Sequence, residues 1–265
     1  MDIPDEYRGL IERHVTSLDW LRSMLLEMDS LAKPVLGIKA WDDSVVMNFG
    51  GSRLVASVDG PYSKRLVMKS ALIHAATDVV VKGGKPLFAL DTLIGDELEI
   101  REMITSLKNQ SLAMGIPILG GNTMLEDSEP KCSLTVVGEL LLKEPIRDCN
   151  AREGDFLVLI GEPIWGSRGE RILKAKKLFE AWFRILEKGI VINAAKDVTK
   201  GGLISTIYEV CYKSGRDYSL EKEIPFSMTR NLDNFLVSVP EESYRDIVRI
   251  CGESDCEVHR VGGVK

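Results

Sequence analysis

Hydrophobic residues along this chain follow two different periods that alternate from one segment to the next. Compact apolar runs such as 54–58 and 156–160 have the composition of buried strands, whereas apolar residues recur at three- and four-residue spacing over 68–79. The first pattern predicts strands, and the second predicts a helix whose apolar stripe packs on a sheet. Because such segments are interleaved to the end of the chain, the sequence predicts an α/β or α+β fold.

Residues 54–93 form the clearest strand–helix–strand unit. Its first strand ends on Asp59, a Gly-Pro pair at 60–61 predicts a turn, and the helix that follows carries Asp78 near its C-terminal end. The Gly-Gly pair at 83–84 is expected to end the helix, since glycine readily adopts a positive φ. A carboxylate near the negative end of a helix dipole is unfavourable without a cation. The unit therefore places two acids at the ends of elements, and Asp78 in particular requires a positive partner.

A segment without hydrophobic periodicity divides the chain into two halves, and the two halves have a similar alternation of predicted strands and helices. Residues 143–154 are charged, contain Pro145 and Gly154 and show little periodicity, which is typical of a linker or a long turn. We therefore predict two α/β domains, one over 1–147 and one over 148–265. The helices are predicted at 1–33, around 68–79, at 96–114, up to 189, up to 214 and at 241–252. The strands are predicted at 45–49, 54–58, 88–93, 116–119, 133–142, 156–160, 191–195, 218–220, 235–239 and 257–261.

Composition narrows the class of protein. The 265 residues are 45% hydrophobic and 28% charged, which is ordinary for a globular chain of one large or two smaller domains. The net charge of −6 argues against a nucleic-acid or anionic-membrane partner. No apolar run approaches the roughly 18–20 residues of a membrane span and the N-terminal stretch is acidic, so we predict a cytoplasmic protein. The five cysteines are predicted to be core residues, because their odd number and spacing fit neither a disulfide framework nor a zinc site.

Four aspartates stand next to predicted strand and helix ends. Asp42 and Asp43 precede a strand and are, taken alone, typical turn residues; Asp59 fits a turn as well as a site. Taken together with Asp78, they form the kind of carboxylate set that binds Mg²⁺ ions on a triphosphate. The reason is that Mg²⁺ is usually held by a few carboxylates, phosphate oxygens and water.

A second polar motif lies in the C-terminal half. Asp197 and Thr199, taken alone, are typical caps of the following helix. Gly201 and Gly202 at the start of that helix predict free backbone N–H groups for a phosphate. Lys200 either neutralises phosphate charge or is an ordinary exposed lysine of the first turn.

The order of these motifs resembles the aminoimidazole ribonucleotide (AIR) synthetase superfamily, which includes selenophosphate synthetase, thiamine-monophosphate kinase and the hydrogenase-maturation dehydratase. The resemblance covers most of the chain and is greatest to archaeal-type proteins related to the synthetase. The matching segments are D-D-S at 42–44, the strand end at Asp59, D-x-x-x-x-G-G-x-P at 78–86, G-G-N-T at 120–123 and D-V-T-K-G-G-L at 197–203.

The resemblance implies a two-domain PurM-like fold. Its N-terminal domain would be of the ferredoxin-like α/β type, with a mixed sheet that pairs across a homodimer, and its C-terminal domain would also be α/β. The resemblance further implies ATP and Mg²⁺ as cofactors, held by acids at the dimer interface. On this basis Asp42, Asp43, Asp59 and Asp78 are predicted metal ligands. Predicted contacts to nucleotide or substrate are Asp197, Thr199, Lys200, Gly201, Gly202 and Asn122.

Several positions depart from the superfamily pattern. Asn122 replaces an acid, so the local metal affinity should be lower. The N-terminal 40 residues lack the cysteine of selenophosphate synthetase, and the C-terminus lacks that of the hydrogenase-maturation enzyme. Where the synthetase has a Ser-Gly-x-His-type phosphate loop, this chain has I-W-G-S-R-G, and its Arg168 either binds a substrate phosphate or is a solvated turn charge. The chain therefore fits no characterised subfamily in full.

The sequence supports two functions of different classes. His14, His74 and His259 form no catalytic triad, and His74 is either a hydrogen-bond partner of Asp78 or an ordinary surface or core histidine. Without a recognisable nucleophile, the acids support an ATP- and Mg²⁺-dependent enzyme that phosphorylates an oxygen of a small-molecule substrate. The alternative is a non-catalytic nucleotide-binding or scaffold dimer with the same fold, which Asn122 and a shortened C-terminal half favour.

Overall fold

A computed structural model describes residues 5–12 and 19–265, and in this part of the chain two five-stranded sheets are flanked by helices. The mixed α/β architecture predicted from the sequence is confirmed. His14 lies outside the described residues. The helices are α1 Asp5–Ile11, α2 Asp19–Leu25, α3 Met28–Ala32, α4 Lys64–Val67, α5 Ala71–Val81, α6 Glu97–Met114, α7 Arg168–Glu187, α8 Gly202–Lys213 and α9 Glu241–Glu253. The strands are β1 Val45–Phe49, β2 Ser52–Ser63, β3 Gly84–Gly95, β4 Ile118–Leu125, β5 Lys131–Leu140, β6 Phe156–Ile160, β7 Ala194–Asp197, β8 Tyr218–Leu220, β9 Phe235–Val239 and β10 Val258–Val264.

The first sheet has the strand order β1-β2-β5-β3-β4, and only β3 and β4 run parallel. Helix α5 lies close to this sheet because glycines face it. A Cβ atom at Gly84 would stand 2.8 Å from Cγ1 of Val79, and one at Gly138 would stand 2.7 Å from the same atom. Gly83, with φ of 89°, turns the chain from the end of α5 into β3 as predicted. These contacts fix the C-terminal end of α5 against the strands.

The turn predicted at Gly60-Pro61 is wrong. Strand β2 continues through both residues to Ser63, with a cis peptide bond between them, and its pairing with β5 shifts register between Asp59 and Tyr62. A β-bulge at this point accommodates the extra residues while β2 remains paired with β5. The helix predicted around 68–79 is found as α5, and the separate short helix α4 precedes it.

The helix predicted over 1–33 is divided into α1, α2 and α3 within the described residues. Leu25 and Met28, in the second half of this segment, are 38% and 39% exposed. A short helix is marginal when no apolar face is buried, so helix propensity alone does not hold this segment in one piece.

The second sheet has the order β7-β9-β6-β10-β8 and is antiparallel throughout. The predicted bounds of β1, β6, β8 and β9 are confirmed residue for residue. No helix or strand occurs between β5 and β6, where the predicted domain boundary falls, and the division into two domains stays a prediction.

The two sheets share part of one hydrophobic cluster. Val80 of α5 and Trp182 of α7 belong to it together with Phe235 of β9, and Nε1 of Trp182 donates a hydrogen bond of 2.7 Å to the Val80 carbonyl. Across residues 5–12 and 19–265, none of the helices combines the length and apolar character needed to cross a membrane. The cluster holds α5 against the second half of the chain, where the polar cleft described next is formed.

Candidate functional site

A cleft of about 360 Å³ lies where β2 and α5 meet the end of β7 and the start of α8. Residues from both halves of the chain line it, and they include most of the predicted site. The lining residues are Trp41, Asp42, Asp43, Ser57, Val58, Asp59, His74, Asp78, Lys196, Asp197, Thr199, Lys200 and Glu209.

Two serines connect the elements that carry the acids. Oγ of Ser44 donates a hydrogen bond of 2.6 Å to the Asp78 carbonyl, which ties the loop before β1 to the end of α5. Oγ of Ser57, on β2, lies 2.8 Å from Oδ2 of Asp78 and 3.0 Å from the Asp43 carbonyl. Ser57 therefore holds the Asp78 carboxylate, and the two serines fix the backbone of Asp78 and Asp43.

Asp42 lies deeper than the other acids, and its side chain is fully buried. Its carboxylate accepts hydrogen bonds from Nε of Arg147 and, at 3.1 Å, from the Asp148 backbone, while Nζ of Lys82 stands 3.9 Å away. Both oxygens of Asp42 are thus engaged with protein donors at the junction of the two halves. Its assignment as a metal ligand stays a prediction.

Asp43 is paired with two buried lysines. Lys196, on β7, donates to one carboxylate oxygen, and Nζ of Lys82 lies 3.2 Å from the other. Burial raises the pKa of Asp43, but the charges of Lys196 and Lys82 outweigh this and hold the pKa well below its ordinary value. Asp43 is therefore ionised, and its charge compensates lysines that have little access to water.

Asp78 and Asp197 are the two acids of the cleft whose ionised forms are disfavoured. Burial, together with the nearby carboxylates of Asp197 and Asp43, raises the pKa of Asp78 well above its ordinary value. Burial and Asp43 raise the pKa of Asp197 to about 7, against the opposing effect of Lys196. Within the described residues, the buried Oδ1 atom of Asp197 accepts no hydrogen bond. Lys196 and His74 offset only part of the effect of burial and carboxylate charge at Asp197, and a bound cation would further favour the ionised form of the two carboxyl groups.

These acids fit Mg²⁺ held jointly with a ligand rather than by protein alone. In the part of the chain that the structure describes, no group of three or more His, Cys, Asp or Glu side chains could hold a metal ion by itself. Mg²⁺ commonly keeps several waters and takes one or two carboxylates together with substrate phosphates. The carboxylates of Asp59, Asp78 and Asp197 along one cleft have the oxygen donors for that arrangement.

His74 belongs to the cleft, one helical turn before Asp78. Its Nδ1 atom pairs with Asp233, and its Nε2 atom lies 3.6 Å from Oδ2 of Asp59. Burial lowers the pKa of His74, but Asp233 and Asp59 outweigh this and raise the pKa to about 10. Of the roles expected from the sequence, the core histidine agrees with the burial of His74, whereas no contact with Asp78 occurs among the described residues. His74 is a buried, positively charged group between two aspartates.

The remaining predicted residues are divided between the cleft and other surfaces. Thr199 and the exposed Lys200 line the cleft. Asn122 is exposed on β4 and is not among the cleft residues. The placement of Thr199, Lys200 and Asn122 leaves their assignment as ligand contacts a prediction.

The predicted free N–H groups at the start of α8 are partly engaged. The amide of Gly202 donates to the Thr199 carbonyl at 2.9 Å, and the amide of Ile204 donates to the Met228 carbonyl at 3.1 Å. Gly202 has a φ of 77°, and a Cβ atom there would stand 2.5 Å from the Met228 carbonyl oxygen. The Gly201-Gly202 pair therefore allows a loop to approach the helix end, and its predicted contact with a phosphate remains untested.

Sequence reasoning missed the partners of the acids. Lys82, Lys196 and Asp233 were not considered, because each finds its partner far along the chain; 153 residues separate Lys196 from Asp43. One signal was available: Lys196 is a charged residue within the buried segment 193–198. A lysine in such a position almost always has an acidic partner.

The chain matches one protein-family model and several related proteins. Residues 41–140 match the family described as "AIR synthase related protein, N-terminal domain". The chain is 38% identical over 256 residues to an uncharacterized protein of Methanocaldococcus jannaschii, covering 95% of this chain and 85% of that protein. It is 29% identical over 219 residues to a putative hydrogenase expression/formation protein of the same organism, covering 72% and 65%. It is 29% identical over 182 residues to selenide, water dikinase of Caldanaerobacter subterraneus, covering 63% and 52%.

Solved structures share the fold at low sequence identity. PurL of Thermotoga maritima complexed with ADP superposes with a TM-score of 0.73 at 16% identity, covering 84% of this chain and 42% of that one. A chain of the HypE–HypF complex gives a TM-score of 0.69 at 19% identity, covering 91% of this chain and 93% of that one. The predicted PurM-like fold is confirmed by these neighbours.

Proposed function

Because the chain belongs to the AIR synthase related family, we propose that it is an ATP- and Mg²⁺-dependent enzyme that transfers a phosphoryl group to an oxygen of a small-molecule substrate. The observation that carries this proposal is the cleft in which Asp59, Asp78 and Asp197 come together, where burial and neighbouring carboxylates raise the pKa values of Asp78 and Asp197. Two relatives support it by their names: one is a selenide, water dikinase, and PurL of Thermotoga maritima has been solved in complex with ATP.

Asp59, Asp78 and Asp197 would hold Mg²⁺ in this proposal, with Asp43 behind them. When bound, Mg²⁺ would neutralise phosphate charge and align the reacting oxygens. Asp43 contributes by keeping Lys196 in place beside Asp197, since the two side chains are paired. Carboxyl groups that are already fixed in position need little reorganisation when the cation arrives.

The protein's own cations complete the proposed site. Lys200 is exposed at the cleft and has the reach to contact a phosphate, and His74 presents a positive charge within the same wall. Thr199 and the Gly201-Gly202 segment stand at the cleft or beside it and would contact nucleotide or substrate. Phosphoryl transfer requires mainly positioning and charge stabilisation from the protein, so no side-chain nucleophile is needed.

The second candidate is a dimer of the same fold that binds nucleotide weakly or not at all. One observation favours it: Lys82 and Lys196 already neutralise Asp43, so this carboxylate needs no metal. The position of Asn122 outside the cleft points the same way. The raised pKa values of Asp78 and Asp197, which a bound cation would lower, favour the enzyme.

The test is calorimetric titration with a non-hydrolysable ATP analogue, with and without Mg²⁺. We expect Mg²⁺-dependent binding by the natural protein, loss of that binding in Asp59→Asn plus Asp78→Asn, and no effect of Asp246→Asn. Asp246 is a matched control, because it lies on α9 and its side chain is 49% exposed. Binding that is unchanged in the double variant would remove these acids from the site, and absence of binding in the natural protein would favour the scaffold.

We further propose that the protein forms a homodimer through the face of the first sheet that its helices leave open. The strand register places Val45 and Ala56 in line with Val137, and Val58 in line with Thr135 and Leu90. Apolar side chains on this face are exposed, among them Val45 (43%), Val58 (69%) and Leu90 (41%). A contiguous apolar sheet face of this kind is typical of a subunit interface.

Charges on that face should separate the subunits. We expect Val45→Lys plus Leu90→Lys to give a monomer, because burying two ammonium groups in an apolar contact is strongly unfavourable. Light scattering after size-exclusion chromatography measures the mass. Leu173→Lys, on the opposite side at α7 with its side chain 55% exposed, is the control and should stay dimeric. A natural protein that is monomeric at micromolar concentration contradicts the dimer.

A further inference from the structure

Lys196 stands among three carboxylates of the cleft. Its Nζ atom pairs with Oδ1 of Asp43 and lies 3.9 Å from both Oδ1 of Asp197 and Oε2 of Glu209. All four residues line the cleft, and the Lys196 side chain is 5% exposed. Carboxylates that converge on one point are typical of the places where proteins hold divalent cations. Here the cation at that point belongs to the chain itself.

The other acids on this side of the cleft are also compensated by protein cations. Within the described residues, four acids and four cations meet at the junction of the two halves, and each acid has a cation nitrogen within 4 Å. The pairs are Arg147 with Asp42, Lys82 and Lys196 with Asp43, and Lys213 with Asp148 and Glu209. A balanced set of this kind has no net negative charge that would attract a divalent ion.

The acids on the other side of the cleft have much less compensation. In the part of the chain that the structure describes, no lysine or arginine nitrogen lies within 4 Å of the Asp59 or Asp78 carboxylates, and the nearest cation of Asp59 is His74 at 3.6 Å. The cleft is therefore divided into a side whose acids are paired with lysines and a side whose acids remain available to a metal ion.

A metal ion and the Lys196 ammonium group would compete for the same place. In two-metal sites the ions lie about 3.5–4 Å apart, and oxygen ligands stand about 2.0–2.1 Å from each Mg²⁺. The ammonium group already occupies the contact position at Asp43 and lies close to Asp197. A divalent ion added there would meet a like charge in a site with little water, where repulsion is strong.

Lys196 also has the donors that such a position requires. An ammonium group carries three N–H groups. Among the described residues, Nζ of Lys196 donates one hydrogen bond, to Asp43, so two N–H groups are left for oxygen atoms of a ligand in the cleft. A compact ammonium charge is well suited to phosphate oxygens. Lys196 can therefore replace a metal ion in neutralising phosphate charge.

We propose that Lys196 takes the place of a second metal ion, so that the cleft binds one Mg²⁺ per nucleotide, on the side of Asp59, Asp78 and Asp197. Asp43 then holds protein cations and is not a metal ligand. The number of ions per nucleotide rests on the proposed function, whereas the exclusion of a metal ion from Asp43 by Lys196 does not.

The test counts bound Mn²⁺ by electron paramagnetic resonance on the protein saturated with a non-hydrolysable ATP analogue. Mn²⁺ is a suitable probe because it prefers the same carboxylate and water ligands as Mg²⁺. We expect one Mn²⁺ per complex in the natural protein and two in Lys196→Met, where the Asp43 carboxylate has lost one of its cations. Asp43→Asn plus Lys196→Met should return to one ion, because the freed carboxylate is gone.

A matched control removes the same charge elsewhere. Lys177 forms an ion pair with Asp255 at the surface, and its side chain is 31% exposed, so Lys177→Met should still bind one ion. Mn²⁺ should also raise the melting temperature of Lys196→Met more than that of the natural protein. Two ions on the natural protein would overturn the proposal without any variant, and a single ion on folded Lys196→Met would do the same.

Titration with Mn²⁺ in the absence of nucleotide separates this result from the proposed function. We expect Lys196→Met to bind Mn²⁺ at least roughly tenfold more tightly than the natural protein, since a positive charge among three carboxylates is removed. A protein that never binds nucleotide but shows this gain would contradict the enzyme and leave the role of Lys196 in place. Nucleotide binding with two Mn²⁺ ions on the natural protein would keep the enzyme and contradict the role of Lys196.

Discussion

Replacing Asp78 with Asn is expected to raise the melting temperature of the metal-free protein and to remove its Mg²⁺-dependent nucleotide binding. The carboxyl group is half-buried beside Asp197, Asp43 and Asp59, and burial together with these carboxylates raises its pKa well above the ordinary value of 3.8. Its ionised form therefore costs folding free energy, and a neutral amide of similar shape avoids that cost. The same charge is what a cation would use, so binding of a nucleotide analogue should weaken on the order of 100-fold.

The sign of the pH dependence gives an internal control. A carboxyl whose pKa is raised on folding holds its proton longer in the native state than in the unfolded state, so stability falls as pH rises above the unfolded value. The advantage of Asp78→Asn should accordingly be larger at pH 7 than near pH 4. Thermal denaturation in EDTA at the two pH values measures this difference. A variant that is less stable than the natural protein at pH 7 would show that Asp78 is not a site of excess charge.

Replacing Asp43 with Asn should have the opposite effect and lower the free energy of unfolding by about 3–5 kcal/mol. Asp43 compensates Lys196 and Lys82, whose side chains are 5% and 0% exposed. Removing the carboxylate leaves two ammonium groups in a buried site without their main partner. Because the pKa of Asp43 is lowered on folding, its contribution is present at neutral pH and is lost as pH falls through the acidic range.

Urea denaturation at pH 7 measures the effect of Asp43→Asn, with Asp246→Asn as the exposed control. The double variant Asp43→Asn plus Lys196→Met should recover part of the loss, since it removes one of the two uncompensated charges. A decrease in the free energy of unfolding below about 1 kcal/mol would mean that water reaches Lys196 and Lys82. The Asp43–Lys196 ion pair would then contribute no more than an exposed one.

Much of the fold could be predicted from the sequence because its information is local. The compact run at Phe156–Ile160 and the cap at Asp96, whose side chain accepts from the Glu99 amide, are decided by residues next to one another. The passage of β2 through Gly60-Pro61 was not predictable in this way. The register with β5 decides it, and that partner strand lies more than 70 residues further along the chain.

The candidate site was predictable in its acids but not in its cations. The motifs around Asp59, Asp78 and Asp197 place carboxylates at strand and helix ends, and the fold brings these ends together in one cleft. The pairing of Lys196 with Asp43 and of His74 with Asp233 depends on how the second half of the chain lies against the first. No local pattern encodes such a contact, which is why the charge balance of the cleft emerged only from the structure.

The shared packing between the two halves limits how this protein can be recombined with its relatives. Trp182 packs against Phe235 and reaches back to the Val80 carbonyl, and Nζ of Lys82 donates to the Ala195 carbonyl at 3.0 Å. Consider a chimaera that joins residues 1–147 of this chain to the second half of a homologue. In it, the buried Lys82 and the Val80 carbonyl would face residues that did not evolve to contact them. A functional chimaera in this family therefore has to take the contacting residues of both halves from the same protein. Each half constrains the sequence of the other.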